Sequence, residues 1–179
     1  MLADLMNAVT AQPKPAVCDT MSPLPFQLEA ERYMGSWYEI YHSAGEGFQP
    51  DRWKCNQATY TDLDAEGNFK VYNSSEDLLA THAPRFGVHG QAKCPADSWS
   101  GGCFVRFFHQ PWDTQPNYNI IDTDYENYSI IYECRPEKMV YLWIMSRKPT
   151  LEQVYVDQIM KTVAEKLPNY NTDWLTFDF

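Results

Sequence analysis

The chemistry open to this sequence starts with its cysteines. Five stand at Cys18, Cys55, Cys94, Cys103 and Cys134. None forms a Cys-x-x-Cys pair, and the four histidines are not near them at the spacing of zinc ligands, so no metal site is expected. Serine, histidine and aspartate fall into no recognisable triad arrangement, and no glycine-rich phosphate loop exists. Two readings of the thiols remain open. They are reduced and buried, or they are cross-linked in an oxidising compartment with one left over; the second is preferred. Asn73-Ser74-Ser75 and Asn127-Tyr128-Ser129 both carry the glycan acceptor pattern. Residues 1–17 are too polar for an intact signal peptide, so a leader has been removed or was never there.

Composition narrows the partners. The chain has 179 residues, 44% hydrophobic and 15% aromatic, which suits one globular domain and excludes disorder. Lysine and arginine number 14 against 24 aspartates and glutamates, a net charge of −10. A field of that sign repels nucleic-acid backbones and anionic headgroups. The longest purely apolar run, residues 139–145, is far short of the roughly 20 residues that a membrane helix needs.

Short strands must position whatever function there is. Residues 1–25, punctuated by proline and lacking periodicity, read as a mobile lead-in to a single domain over 26–179. Alternating apolar runs then recur at 37–42, 56–62, 69–73, 85–93, 103–109, 118–125, 128–134 and 140–146, each closed by turn residues. Eight such runs, neighbour joined to neighbour, predict an up-and-down antiparallel barrel or a sandwich. Thr150 followed by Gln153 has the form of a capping box. Leu151, Tyr155, Ile159, Val163 and Leu167 then mark one apolar face of an amphipathic helix over about 150–167, packed outside the sheet. Residues 173–177 read as a last edge strand.

Three blocks are more specific. The first is Arg32-Tyr33-Met34-Gly35-Ser36-Trp37-Tyr38-Glu39-Ile40. The second is Thr123-Asp124-Tyr125-Glu126-Asn127-Tyr128, running on to Tyr132-Glu133-Cys134. The third is Tyr141-Leu142-Trp143-Ile144-Met145-Ser146-Arg147. In order and placement they resemble the lipocalins, closest to the apolipoprotein D, insect bilin-binding and bacterial group, over residues 26–178. The resemblance implies an all-β, eight-stranded up-and-down barrel. It gives structural roles to Gly35, Trp37, Thr123, Asp124, Tyr125 and Arg147: Gly35 lets the chain approach closely, and Arg147 lies across the indole of Trp37 at the barrel floor.

The resemblance also implies a cavity that holds one small hydrophobic molecule, with no required cofactor and no catalytic residue. Matching pocket positions are Tyr60, Asn73, Phe107, Trp143 and Met145, and strand alternation adds Val88 and Tyr118. Candidate ligands are a fatty acid, lysolipid, sterol, retinoid, carotenoid or bilin. Asn73 then faces inward, leaving Asn127 as the accessible acceptor for a glycan. By the family pattern Cys18 bridges to Cys134. Cys94 and Cys103 flank a strand turn that they would clip together, and Cys55 is left free or paired to another chain. The expected setting is secreted or extracytoplasmic. Two alternatives stand beside the carrier. One is a lipocalin-type isomerase or de-epoxidase using Cys55 or the acidic Glu46 and Asp51. The other is a pigment-binding subunit of a dimer or larger oligomer, associating through Trp53, Trp99 and Trp112. The loops 43–54, 74–84, 95–102 and 110–117 are expected at the open end, where they set the ligand.

Overall fold

The computed structural model of the chain describes residues 17–20, 27–44, 52–79, 85–95, 101–135 and 139–178. A short helix α1 (Ala30–Tyr33) leads into β1 (Gly35–Ser43), β2 (Trp53–Thr61), β3 (Asn68–Asp77) and β4 (Phe86–Lys93). Then come β5 (Gly102–Phe107), β6 (Tyr118–Thr123), β7 (Tyr128–Arg135) and β8 (Met139–Ser146). Helix α2 (Gln153–Lys166), a 3₁₀ turn and the short strand β9 (Leu175–Phe177) complete the chain. Each barrel strand pairs antiparallel with the next, and β1 pairs with both β8 and β2, which closes the ring. The predicted eight-stranded barrel with an external helix is the observed fold.

The alternation that announces the strands also divides the core. Inward residues such as Trp37, Ala58, Tyr60, Val71 and Ile131 pack inside the barrel. Outward residues of β7 and β8, among them Ile130, Leu142 and Ile144, pack under α2 against Ile159, Val163 and Leu167. Both faces of β7 are therefore buried, and its sequence alternates little. Each of the three helix side chains contributes about 1.5–3 kcal/mol by leaving water.

Several expected boundaries move. The helix begins at Gln153, not Thr150, and Glu152 at its N-cap makes no side-chain bond. The amide of Gln153 donates to Asp157 at 2.7 Å instead of reaching back, so no capping box forms. β5 stops at Phe107 because Phe108 and His109 take left-handed backbone angles (φ 53° and 56°) that break the pleat. Within the lead-in, residues 17–20 are anchored: Cys18 is bonded to Cys134, and Asp19 Oδ1 accepts from the backbone and side-chain nitrogens of Asn169 at 3.0 and 2.7 Å. Residues 1–16 and 21–26 lie outside the described residues.

One end of the barrel is closed and the other open. At the closed end α1 packs over the floor. Tyr33 is buried, and the Trp37 indole N–H donates to its carbonyl at 2.9 Å. Gly35 has φ +92°, a region that other residues avoid. A Cβ there would lie 3.4 Å from Arg147 Nη1, an ordinary contact. Backbone conformation, not the expected crowding, is what calls for glycine. The described flanks of the 95–102 connection lie at the closed end, not the mouth: the Cys94 N–H donates to the Gly67 carbonyl, in the turn joining β2 to β3, at 2.9 Å. Residues 96–100 of that connection lie outside the described residues.

At the open end β1 and β2 part. Their ladder covers only Gly35–Tyr38 against Gln57–Tyr60. Above it β9 pairs with Tyr41–Ser43. The next residue, Asp178, bridges the seam. Its N–H donates to the Ile40 carbonyl at 3.0 Å, and its carboxylate accepts from the Asn56 N–H (3.0 Å) and side-chain amide (2.8 Å).

Candidate ligand cavity

The inner face encloses a cavity of about 490 Å³, within the roughly 300–1,000 Å³ typical of small-molecule sites. Its middle is apolar, walled by Val71, Val105, Phe107, Ile131, Trp143 and Met145. These positions follow from the pleat, since residues two apart on a strand share a face. Ile131 and Trp143 are opposite each other in register, as are Tyr60 and Val71.

The floor is a chain of hydroxyls. Ser129 meets Tyr33 at 2.8 Å, Tyr33 meets Tyr118 at 3.0 Å, and Tyr118 meets Tyr60 at 3.0 Å. Four hydroxyl protons serve three links, so one proton is left over at an end of the chain. With the chain polarised toward Tyr60, that ring presents a donor to the cavity; polarised the other way, it presents an acceptor. Burial pushes the Tyr33 hydroxyl up to about 12, and burial likewise raises Tyr60 and Tyr118 well above the ordinary tyrosine range. The chain is neutral at physiological pH.

The mouth is polar: Asp113 and Glu133 line it with Arg106 and Arg135, while Glu39 lies deeper on the wall, opposite Met145. Arg135 is paired to Glu133 at 2.8 Å and to Asp113 at 3.2 Å. Burial raises Glu133 above the usual carboxylate range, against the opposing pull of Arg135. A β-bulge at Ile40 adds one residue between Glu39, opposite Met145, and Tyr41, opposite Ile144. Glu39 and His42 thereby share the inner face, although simple alternation would set them on opposite ones.

The structure places Tyr60, Asn73, Phe107, Tyr118, Trp143 and Met145 on the cavity wall. Val88 is not there. It pairs with Asn73 in register, but no β4 residue reaches the cavity. The ring of Phe107 lies so close across Gly90 that a Cβ on Gly90 would be 2.7 Å from it, and Phe107 forms that wall instead. Alternation could have found Val71 and Ile131. It could also have found Glu39, two residues after Trp37, and Asn56, two before Ala58; the β1 bulge hides only the placement of His42. Cys94 is bonded to Cys103, and Cys55 is free. Cys55 is off the cavity wall, at the β2 bulge with φ +54°. Burial, with the charge of Glu76, raises its thiol.

Asn127, the expected glycan acceptor, is half-buried in the β6–β7 turn. Its amide nitrogen donates to Asp124 Oδ2 at 2.7 Å, and Tyr128 and Ser129 are buried. Asp124 organises this turn, also accepting from the backbone N–H groups of Glu126, Asn127 and Tyr128. Thr123 Oγ1 donates to the Tyr128 carbonyl at 2.7 Å, and the Tyr125 hydroxyl accepts from the Glu29 N–H at 2.9 Å. Trp53 and Trp112 are half-buried, one edge-on to Phe86 and the other beneath Arg106 and Lys93. Glu46, Asp51 and Trp99 lie outside the described residues. No helix among the described residues is long and apolar enough to cross a membrane.

A closed up-and-down barrel with a plugged floor, an open mouth and an apolar chamber defines a cup-shaped β-barrel protein. The chain belongs to the lipocalin family: the family model for the lipocalin-like domain matches residues 28–177. It is 32% identical to apolipoprotein D of Mus musculus over 133 residues, 72% of this chain and 66% of that protein. It is also 32% identical to temperature-induced lipocalin-1 of Arabidopsis thaliana over 146 residues, 78% of this chain and 73% of that one. The match thus spans just under two thirds of the mouse protein's length. Among solved structures, insecticyanin from the tobacco hornworm Manduca sexta superposes with a TM-score of 0.71 at 23% identity, over 92% of this chain and 87% of that one. Lobster apocrustacyanin A1 does so at 0.66 and 17% identity, over 92% and 88%. At those identities the likeness is one of fold.

Proposed function

We propose that the protein is a secreted or extracytoplasmic carrier of a small hydrophobic molecule, held in the barrel cavity without chemical change. The observation that carries this reading is the layered chamber: a hydroxyl chain at the floor, an apolar middle and a polar mouth. Its occupant has an apolar body and a neutral hydroxyl or carbonyl at the buried end, as a sterol, retinoid or carotenoid has. Each CH₂ removed from water contributes about 0.8 kcal/mol, so about ten such groups match the roughly 8 kcal/mol of micromolar binding, and a longer apolar body is needed to offset ordering losses as well. Family membership supports the reading, and so does the name of the mouse relative, apolipoprotein D. The two disulfides fit an oxidising compartment.

Enzymatic use of the barrel has weaker support. The thiol of Cys55 is off the cavity wall and its ionisation is disfavoured, which suits a nucleophile poorly. Native mass spectrometry of protein purified without delipidation should show a mass above the polypeptide. Trp143, on the cavity wall, should report displacement of that molecule by retinol or a sterol through its fluorescence. If no apolar compound perturbs Trp143 or competes with another, the carrier reading fails.

A further inference from the structure

A second cluster sits beside the cavity and shares with it only the carboxylate of Glu39. Glu39, His42 and Asp178 are 7%, 2% and 0% exposed, and one donor atom from each lies within 4.8 Å of the others. Distant parts of the sequence supply them. The β1 bulge turns Glu39 and His42 to the same side, and the residue after β9 brings Asp178 in across the seam.

The geometry around His42 is unusual for a histidine held only by its neighbours. Nδ1 is 2.9 Å from Glu39 Oε1 and 3.7 Å from Asp178 Oδ1. The short contact with Glu39 is an ion pair whose angles fall short of an aligned hydrogen bond at this buried nitrogen. Donor atoms at about 2.0–2.1 Å from a tetrahedral ion are about 3.3 Å apart. The two observed separations straddle that value, so small side-chain adjustments would let all three atoms face one ion.

Charge and support point the same way. The His42 imidazole, ion-paired to both carboxylates, offsets at most one of the two buried charges, and a divalent cation would offset both. The nearby Lys54 ammonium donates outside the cluster, to the Phe177 carbonyl at 3.0 Å. Asp178 is oriented by two hydrogen bonds from Asn56, and Asn56 accepts from the Ser75 hydroxyl. Carboxylates that bind metals are held by outer partners in this way.

We propose that Glu39, His42 and Asp178 form a binding site for one divalent first-row transition cation, with zinc the best match to the donor set, which fastens the C-terminal segment over the β1–β2 seam. The fourth coordination position is left to water or to a group from the cavity, since Glu39 also lines the cavity wall.

Zinc titration into the full chain against a chromophoric chelator tests this. One equivalent should bind, and zinc should raise the melting temperature. His42→Gln and Glu39→Gln should each weaken binding by at least the roughly 10–100-fold that losing an outer-shell partner costs. His89→Gln, at an exposed histidine on β4, should leave it unchanged. Equal affinity in the unmodified protein and His42→Gln, or equal loss in His89→Gln, would overturn the site. Should the cluster variants fail to fold, the unmodified protein decides. Zinc must shift the imidazole resonances of His42 in NMR spectra, and shifts confined to the other histidines refute the proposal.

Discussion

The guanidinium of Arg147 lies over the indole of Trp37, 3.7 Å from the ring centroid. The same group donates to three backbone carbonyls: Tyr125 at 3.0 Å, Ser36 at 3.0 Å and Arg32 at 2.8 Å. One side chain from the end of β8 thus joins α1, the start of β1 and the β6–β7 turn beneath the floor. A shielded cation–π contact contributes about 0.5–2 kcal/mol, and hydrogen bonds from charged donors about 1.5–3 kcal/mol each before their overlap is discounted. Arg147→Ala should cost about 3 kcal/mol in denaturant unfolding, and Arg147→Lys should recover less than half, because an ammonium lacks the planar fork. A loss below about 1 kcal/mol would mean that the floor holds without this clasp.

The two disulfides differ in the loops they close. Cys18–Cys134 spans a sequence separation of 116 and Cys94–Cys103 one of 9. Chain entropy assigns them about 5 and about 2.7 kcal/mol. Replacing Cys18 and Cys134 by serine should therefore destabilise the protein more than replacing Cys94 and Cys103. Equilibrium unfolding of the two double variants measures this, and a reversed order would contradict the assignment.

Local patterns disclosed much of the architecture, and non-local ones did not. Tyr118 was legible because a regular pleat turns every second side chain inward, Tyr60, Trp143 and Met145 through the family resemblance, and Ile159 and Val163 because a helix face repeats. The bulge at Ile40 inverts that parity within β1, so Glu39 and His42 could not be placed together by counting. Asp178 reaches the seam through a pairing that no local pattern encodes. Val88 keeps the inward parity assigned to it, opposite Asn73, although it does not line the cavity. Thr150 and Gln153 had the letters of a capping box, but Gln153 found a better partner in Asp157.

The buried hydroxyl chain makes the protein sensitive to alkali. The Tyr33 hydroxyl is raised from an ordinary value of 10.0 to about 12 by burial. Folding therefore favours its protonated form. That contribution is complete below pH 10 and is lost as pH climbs through about 12, with Tyr60 and Tyr118 acting in the same direction. Tyrosinate absorbance from these rings should appear only together with the loss of circular dichroism, while exposed tyrosines titrate earlier. Tyr33→Phe should move the unfolding midpoint to higher pH; a free titration of all the tyrosines near pH 10 in folded protein would show that the chain is open to solvent.

The charge along the cavity wall should set which ligands are held. Glu39, Asp113 and Glu133 outnumber Arg106 and Arg135 along the wall, and Arg135 is already neutralised by two of those acids. A carboxylate ligand would have to pass and then be held against this excess, at distances where buried charges are poorly screened. Retinol should accordingly bind more tightly than retinoate by about tenfold, a difference of about 1.4 kcal/mol. Glu133→Gln removes one of the opposing charges and frees Arg135 to meet an acid, so it should narrow that gap mainly by strengthening retinoate. Fluorescence titrations of both ligands against both proteins provide the test. Tighter binding of retinoate to the unmodified protein would show that Arg135 overrides its acidic partners and that the mouth selects anions.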